Sequence, residues 1–395
     1  MIDIKECFDR TPDRRGSGSY KWDSASDPEV IPLWVADMDF RTAPVVEDAL
    51  RHRVEHGVFG YTLVGDDYYE ALTGWFERRH NYHIDRDMVI YTSGVVPAIS
   101  AIIKALTSPG EGVIVQTPVY NCFFSSIRNN GCRIVEAPLK RRDLAEGKFT
   151  YDMDFDALER VAADPSNTLM LLCNPHNPAG RAWRRDELER VAEICRRNGV
   201  RVVSDEIHCE LTMPGIEYTP YGNIDTSAII CVSPSKAFNT AGLQIANIVC
   251  PDQEVRVKVD KAININEVCD VNPFGVVGLT AAYSADGEEW LDALREYLHD
   301  NYRWFCDFMR KELPECPVTE LEATYLPWVD VRCLGLTSEE IEEVLVRDNK
   351  VWVNAGEMYG EGGYIRINLA CPLSRLREGM HRVAAGLKSL MTREQ

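Results

Sequence analysis

Apolar and polar positions follow two different rhythms along the chain, and the rhythm changes near residue 285. Before that point short apolar runs recur: Val89-Ile90-Tyr91-Thr92, Gly112-Val113-Ile114-Val115-Gln116, Ile134-Val135-Glu136-Ala137, residues 168–173, residues 200–204 and Ile229-Ile230-Cys231-Val232. Runs this short, apolar at both odd and even positions, predict strands buried on both faces. Segments of helical period lie between them, over 44–56, 66–79, 98–106 and from Asp186 onward. The last has Leu188, Val191, Ala192 and Cys195 on its core face, Glu189 as expected capping-box partner, and Gly199 as its stop. Alternating strands and helices predict an α/β domain built on a mostly parallel sheet. After residue 285 one long amphipathic helix is expected over 287–312, its inner stripe formed by Leu291, Leu294, Leu298, Tyr302, Phe305, Met309 and Leu313. Strands over 325–331 and 364–369, a helix capped by Ser338 and a last helix over 374–390 complete a smaller α+β domain. The expected division is 1–45 as an N-terminal segment joining the small domain, 46–285 as the large domain and 286–395 as the small one.

Five predicted strands end in unusual residues. They run into Ser93-Gly94-Val95-Val96-Pro97, Thr117-Pro118-Val119-Tyr120-Asn121, Asn174-Pro175-His176-Asn177-Pro178, Asp205-Glu206-Ile207-His208 and Ser233-Pro234-Ser235-Lys236. Open α/β sheets bind ligands at the carboxyl ends of their strands. Ser93-Gly94 leads into a helix with proline in its first turn, where free N–H groups and the helix dipole favour an anion. Lys236 is followed by small and apolar residues, and two readings fit it. It is a lysine snorkelling from a strand end, or a desolvated amine driven toward the neutral, nucleophilic form that Schiff-base chemistry needs.

The company Lys236 keeps describes one cofactor, pyridoxal 5'-phosphate (PLP). Lys236 would bind its aldehyde, and Asp205 would hold its pyridine nitrogen protonated. Tyr120 would stack on the ring, while Asn177 and His208 donate to the phenolate. Ser233, Ser235 and the amides of Gly94, Val95 and Val96 would take the phosphate. The stretch Leu33-Trp34-Val35-Ala36-Asp37-Met38-Asp39-Phe40 carries two acids beside aromatic residues, and turn formation and a pocket wall are both open to it.

Composition narrows the partners. The 395 residues are 45% hydrophobic and 27% charged, as expected of a globular enzyme long enough for two domains. Forty-three basic against 62 acidic residues leave a net charge of −19, which points to a small-molecule substrate and away from nucleic acid. The thirteen cysteines include no Cys-x-x-Cys pair, and Cys173, Cys231 and Cys250 fall in apolar runs. That pattern predicts free thiols in a reducing cytoplasm and no metal site. The first residues contain no apolar signal core and no run reaches membrane-spanning length, so neither secretion nor membrane insertion is expected.

The ordered set Gly94-Val95-Val96, Tyr120, Asn177-Pro178-Ala179-Gly180, Asp205-x-x-His208, Ser-x-Ser-Lys236 and Arg366 resembles the fold-type-I PLP enzymes of the aspartate aminotransferase superfamily, over nearly the whole chain. Residues 34–40, 204–208 and 236–244 resemble the MalY/PatB group of cystathionine β-lyases within it. The resemblance implies a seven-stranded sheet in the large domain, Lys236 as Schiff-base lysine, Asp205 as pyridine partner and Tyr120 beside the reacting atoms. It implies Arg366 as clamp for the substrate's α-carboxylate, with Asn177 and Tyr61 also at the substrate. Tyr61 would reach the cofactor phosphate of the neighbouring subunit, which makes the protein a homodimer with shared active sites. Gln244 stands where aspartate aminotransferases carry a phosphate-binding arginine. The implied activity is β-elimination from cystathionine or cysteine to a thiol, pyruvate and ammonia. An aminotransferase using the same residues is the alternative, and a regulatory binding role on this fold is a third reading.

Overall fold

The structure, a computed structural model, describes residues 4–265 and 270–392. Seven strands form the main sheet: β1 (Val89–Thr92), β2 (Gly112–Val115), β3 (Arg133–Glu136), β4 (Asn167–Cys173), β5 (Arg201–Asp205), β6 (Ile229–Val232) and β7 (Ala246–Val249). Their spatial order is β1-β7-β6-β5-β4-β2-β3. Strand β7 runs antiparallel to both neighbours, and the remaining pairs are parallel. It is the one main-sheet strand that the hydrophobic pattern does not single out. Asn247 interrupts its apolar run, and in the fold this buried amide accepts a 2.7 Å hydrogen bond from the Tyr68 hydroxyl.

Alternation along the strands explains why both faces are covered. Val113, Val115, Leu169, Leu171, Val203, Ile229 and Cys231 meet the helix Val95–Leu106 and its neighbours on one side. Ile114, Met170, Leu172, Val202, Ile230 and Val232 pack on the other side against Leu72, Trp75, Leu188 and Val191. Two apolar faces on every central strand require two helical layers. Because β1, β2, β4, β5 and β6 share one direction, their carboxyl ends form one edge.

Helix boundaries move where local chemistry overrides the apolar period. The helix expected from residue 98 begins at Val95, with Gly94 as N-cap and Pro97 in the first turn, where no N–H is required. The capping partner of the helix Arg185–Arg197 is Glu187, not Glu189: its carboxylate accepts the Arg184 N–H at 2.9 Å and is gripped by Arg181. Thr337, not Ser338, caps the helix Ser338–Asn349, accepting from the Glu340 N–H at 3.2 Å.

A second sheet of six strands runs in the order Asn354–Ala355, Tyr364–Arg366, Trp328–Asp330, Val318–Thr319, Lys148–Asp152, Lys140–Asp143. Its last two strands are a hairpin drawn from the middle of the 46–285 stretch, and Lys148 pairs with Val318. The N-terminal strand Ile31–Pro32 pairs with Val351–Trp352, beside this second sheet. The long helix Ala285–Glu312 has the expected stripe, but the stripe divides. Trp290, Leu291, Leu294 and Leu298 enter the core of the main sheet, whereas Tyr302, Phe305 and Met309 enter that of the second sheet. One rigid helix thus ties both cores together. On the main-sheet side, His80, Cys209 and Glu210 come within 4.8 Å of one another, the one such trio among the described residues. Glu210 is engaged by Trp75, Arg79 and His80, so the trio is an ion-pair cluster pinning the helix Asp66–His80.

Asp39 is the corresponding pin of the N-terminal segment. Its buried carboxylate meets Arg14 at 3.2 Å, Lys21 at 3.2 Å and Arg375 at 3.0 Å, and accepts from the Trp22 indole at 2.9 Å. These partners overcome burial and hold its carboxyl below the usual range. Removing it leaves buried cations without a counter-charge. Asp39→Ala is expected to cost about 3 kcal/mol or more in urea unfolding of the cofactor-free protein; a loss of only a few tenths would show that the cluster bears no load.

Candidate active site

The residues after β2, β4, β5 and β6 come together beside residues 34–40. Lys236 follows β6, and its Nζ donates to the Ala36 carbonyl at 2.7 Å. Burial and the neighbouring Arg366 guanidinium pull its ammonium down to about 8, against the opposing pull of Asp37 and Asp205. Asp205 closes β5 with its side chain buried, accepting the Ile207 N–H at 3.1 Å. Burial pushes its carboxyl up to about 7. His208, three residues on, is buried with Nδ1 lacking a partner. Burial, reinforced by Lys236 and Arg366, holds it well below the ordinary imidazole range, so the ring is neutral.

Arg366 lies on the second sheet and is 3% exposed. Its Nη1 donates to Asn177 Oδ1 at 3.1 Å and its Nη2 to the Trp34 carbonyl at 3.0 Å, while Nε lacks a partner among the described residues. The Tyr359 ring lies 4.7 Å from its guanidinium carbon. Asn177 is buried in the turn after β4, and its side-chain N–H groups have no partner among the described residues. Tyr120 is the residue before the helix Asn121–Asn129, and burial, with Cys122 and Asp205 nearby, keeps its phenol protonated.

The helix Val95–Leu106 starts directly after β1. Gly94 precedes it, and the first-turn amides of Val95 and Val96 have no intrahelical acceptor. Ser235 leaves its hydroxyl without a protein partner among the described residues. Ser233 behaves differently from the sequence expectation: its hydroxyl donates to the Ile245 carbonyl at 2.7 Å and accepts from the Ser235 N–H at 3.1 Å. That hydroxyl ties the lysine loop to the start of β7. Tyr61 stands outside this cleft in its own chain, 97% exposed, in a row with exposed Val58, Phe59 and Leu63. Gln244 is also exposed, at a left-handed turn.

Sequence reasoning missed the residues that hold the cleft shut. Asn239, three residues beyond Lys236, donates to the Met38 and Phe40 carbonyls at 2.9 Å each and accepts the Met38 N–H at 3.0 Å. Asn354, Asn368 and Tyr325 bond to the carbonyls of residues 34–37. Their signal was weak, because polar residues next to apolar runs carry no periodicity. A lysine with a lowered ammonium pKa, a buried acid, unpaired donors at Asn177, His208 and Arg366, and a helix start together fit the carbonyl, ring nitrogen, phenolate and phosphate of PLP.

The fold and this cleft define an α/β enzyme of the PLP-binding type, and comparison with known proteins agrees. Residues 28–383 match the family aminotransferase class I and II, and the chain belongs to it. Cystathionine beta-lyase PatB of Bacillus subtilis is 38% identical over 96% of this chain and 99% of its own. Protein MalY of Escherichia coli is 35% identical over 94% and 96%. The crystal structure of cystalysin from Treponema denticola, which contains a pyridoxal 5'-phosphate cofactor, superposes with a TM-score of 0.92 at 34% identity, over 97% of this chain and 99% of its own. PLP is the cofactor of this protein.

The Asp205 titration makes a stability prediction. Folded Asp205 protonates near 7, above the ordinary 3.8 of the unfolded chain. Between those values the folded state holds a proton that the unfolded state has lost, so this group makes the protein less stable as pH rises. In the cofactor-free protein, Asp205→Asn is expected to be more stable than wild type, by a margin that grows from about pH 5 to pH 8 in urea titrations. A margin that does not change with pH would place the Asp205 carboxyl in the ordinary range.

Proposed function

We propose that the protein is a PLP-dependent carbon–sulfur β-lyase that cleaves a cysteine thioether such as cystathionine, with water, to a thiol, pyruvate and ammonia. The observation carrying this reading is the meeting of Lys236, Asp205 and Arg366 in one cleft, in a chain similar over its full length to proteins named cystathionine β-lyase. Bound PLP supplies an electron sink for the pair left at the substrate Cα. Lys236 Nζ, whose ammonium is lowered to about 8 and so is increasingly neutral at mildly alkaline pH, takes the Cα proton. Arg366 presents a planar fork to the α-carboxylate, and its unpaired Nε is available for that contact. Asn177 and His208 offer N–H donors to the phenolate, and Asp205 offers the anion that a pyridinium draws out. The Gly94, Val95 and Val96 amides and the Ser235 hydroxyl hold the phosphate, Ser233 orients their loop, and Tyr120 covers the ring.

Tyr61 completes the site of a second subunit in this reading. The exposed row Val58, Phe59, Tyr61 and Leu63 supports a homodimer, since apolar side chains this open to water favour burial against a partner. Twelve cysteines among the described residues are unpaired, which supports a cytoplasmic protein. No described helix is long and apolar enough to cross a membrane. Amino transfer is the second reading, favoured by the family's name and by a TM-score of 0.91 to a PLP-bound putative aminotransferase of Clostridium difficile.

Three measurements test the reading. Cystathionine is expected to yield pyruvate with no added keto acid; faster turnover of aspartate with 2-oxoglutarate would assign the protein to amino transfer instead. Asp205→Asn is expected to retain PLP yet lose elimination by at least about a hundredfold, the scale of a lost charge interaction of a few kcal/mol. Mixing inactive Tyr61→Phe and Lys236→Ala subunits is expected to restore activity, because one site of each heterodimer then carries neither lesion; no recovery after verified subunit exchange would show that each chain builds its own site.

A further inference from the structure

Four successive carbonyls of the 34–37 segment have side-chain partners, and those partners alternate. The Trp34 carbonyl accepts from Arg366 at 3.0 Å and the Ala36 carbonyl from Lys236 at 2.7 Å. The Val35 carbonyl and, at 2.7 Å, the Asp37 carbonyl accept from one amide, Asn368 Nδ2, and Asp37 also accepts from Lys21 Nζ at 3.1 Å. Asn368 is buried, and its Oδ1 accepts the Ala370 N–H at 2.7 Å, which fixes which way the amide points. Ala36 therefore lies between two engaged carbonyls, with its own oxygen on Lys236. The buried Tyr325 hydroxyl donates to that same oxygen at 3.1 Å.

We infer that the Ala36 carbonyl, set in place by Asn368 as positioning residue, is the holding point for the Lys236 ammonium and steers the enzyme toward elimination over amino transfer, with Tyr325 competing for the same oxygen. The inference rests on the lyase reading above. In both reactions Lys236 takes the Cα proton and becomes an ammonium. Amino transfer then needs that proton handed to a cofactor carbon. Elimination does not: the thiolate leaves with the electron pair of the C–S bond and takes its proton from water. An ammonium bonded to a fixed carbonyl in a desolvated cleft gives up that bond at a cost, because nothing there replaces it. Arg366, Asp37, Asp205 and Cys122 also act on Lys236, but their influence does not depend on one bond direction.

The test reads both the free and the loaded protein. In the cofactor-free protein, trinitrobenzenesulfonate labelling of Lys236 at pH 7, followed by peptide mass mapping, reports how firmly the amine is held. Asn368→Ala releases the segment and is expected to speed that labelling several-fold. In the holoenzyme it is expected to raise the ratio of amino transfer to pyruvate release several-fold. Tyr325→Phe removes the competing donor from the Ala36 oxygen, so labelling slows and the ratio falls. General damage to the cleft would move both variants the same way, and that result overturns the inference. So does a folded Asn368→Ala protein that labels at the wild-type rate, or one that labels faster with an unchanged ratio. Should Asn368→Ala fail to fold, Tyr325→Phe decides alone: slower labelling supports the inference, and equal or faster labelling overturns it. If wild type releases no pyruvate from any cysteine thioether, the lyase reading fails and the steering with it, while the labelling arm still tells whether Ala36 holds the lysine.

Discussion

The structure depends on satisfying the backbone of one half-buried, irregular segment, residues 34–40. A peptide group away from water must find a partner, and this stretch has no sheet neighbour to supply one. Side chains do so instead. Arg366 and Asn354 serve Trp34, Asn368 serves Val35 and Asp37, Lys236 and Tyr325 serve Ala36, and Asn239 with Arg14 serves Met38. These donors come from the lysine loop of the main sheet, from the second sheet and from the N-terminus. Satisfying one segment therefore fixes the lysine relative to the arginine although 130 residues separate them in sequence (366 minus 236).

Burial sets the electrical state of the cleft that results. It drives the Lys236 amine down, the Asp205 carboxyl up and the His208 imidazole down, each toward its neutral form. Arg366 is the exception by chemistry, since a guanidinium does not give up its charge. The cleft thus offers one permanent cation, suited to one substrate carboxylate. Its other groups change charge with what binds beside them. Permanent ion pairs sit in the supports around it, at Asp39 and Glu210, where the partners are fixed.

Much of the site was legible because its residues sit at the ends of apolar runs. Asp205 and Lys236 lie at or just after strands whose patterns are unbroken, and the parallel direction of those strands brings the ends together. Strand β7 was hidden by the polar Asn247, and the hairpin over 140–152 by charged faces on Lys140, Arg141 and Arg142 that no period marks. Tyr61, 97% exposed, is the expected site residue that the fold of one chain leaves out in solvent.

What the sequence by itself determined is what local physics carries: the α/β alternation, both helical layers, the long helix, and the lysine, acid and arginine as the chemical set. The alternation and the helices follow from periodicity, the lysine and acid from residue types that few other chemistries need, and the arginine's part from the family resemblance. The tertiary structure alone decided that the 140–152 hairpin belongs to the second sheet, that the stripe of the long helix divides between two cores, and that Ser233 spends its proton on Ile245. It also decided what Asp37 and Asp39 are for, as anchors of a segment whose carbonyls hold Lys236 and Arg366. Those outcomes join residues far apart in the chain, and hydrogen bonds between distant side chains and backbone leave no period in the sequence to read.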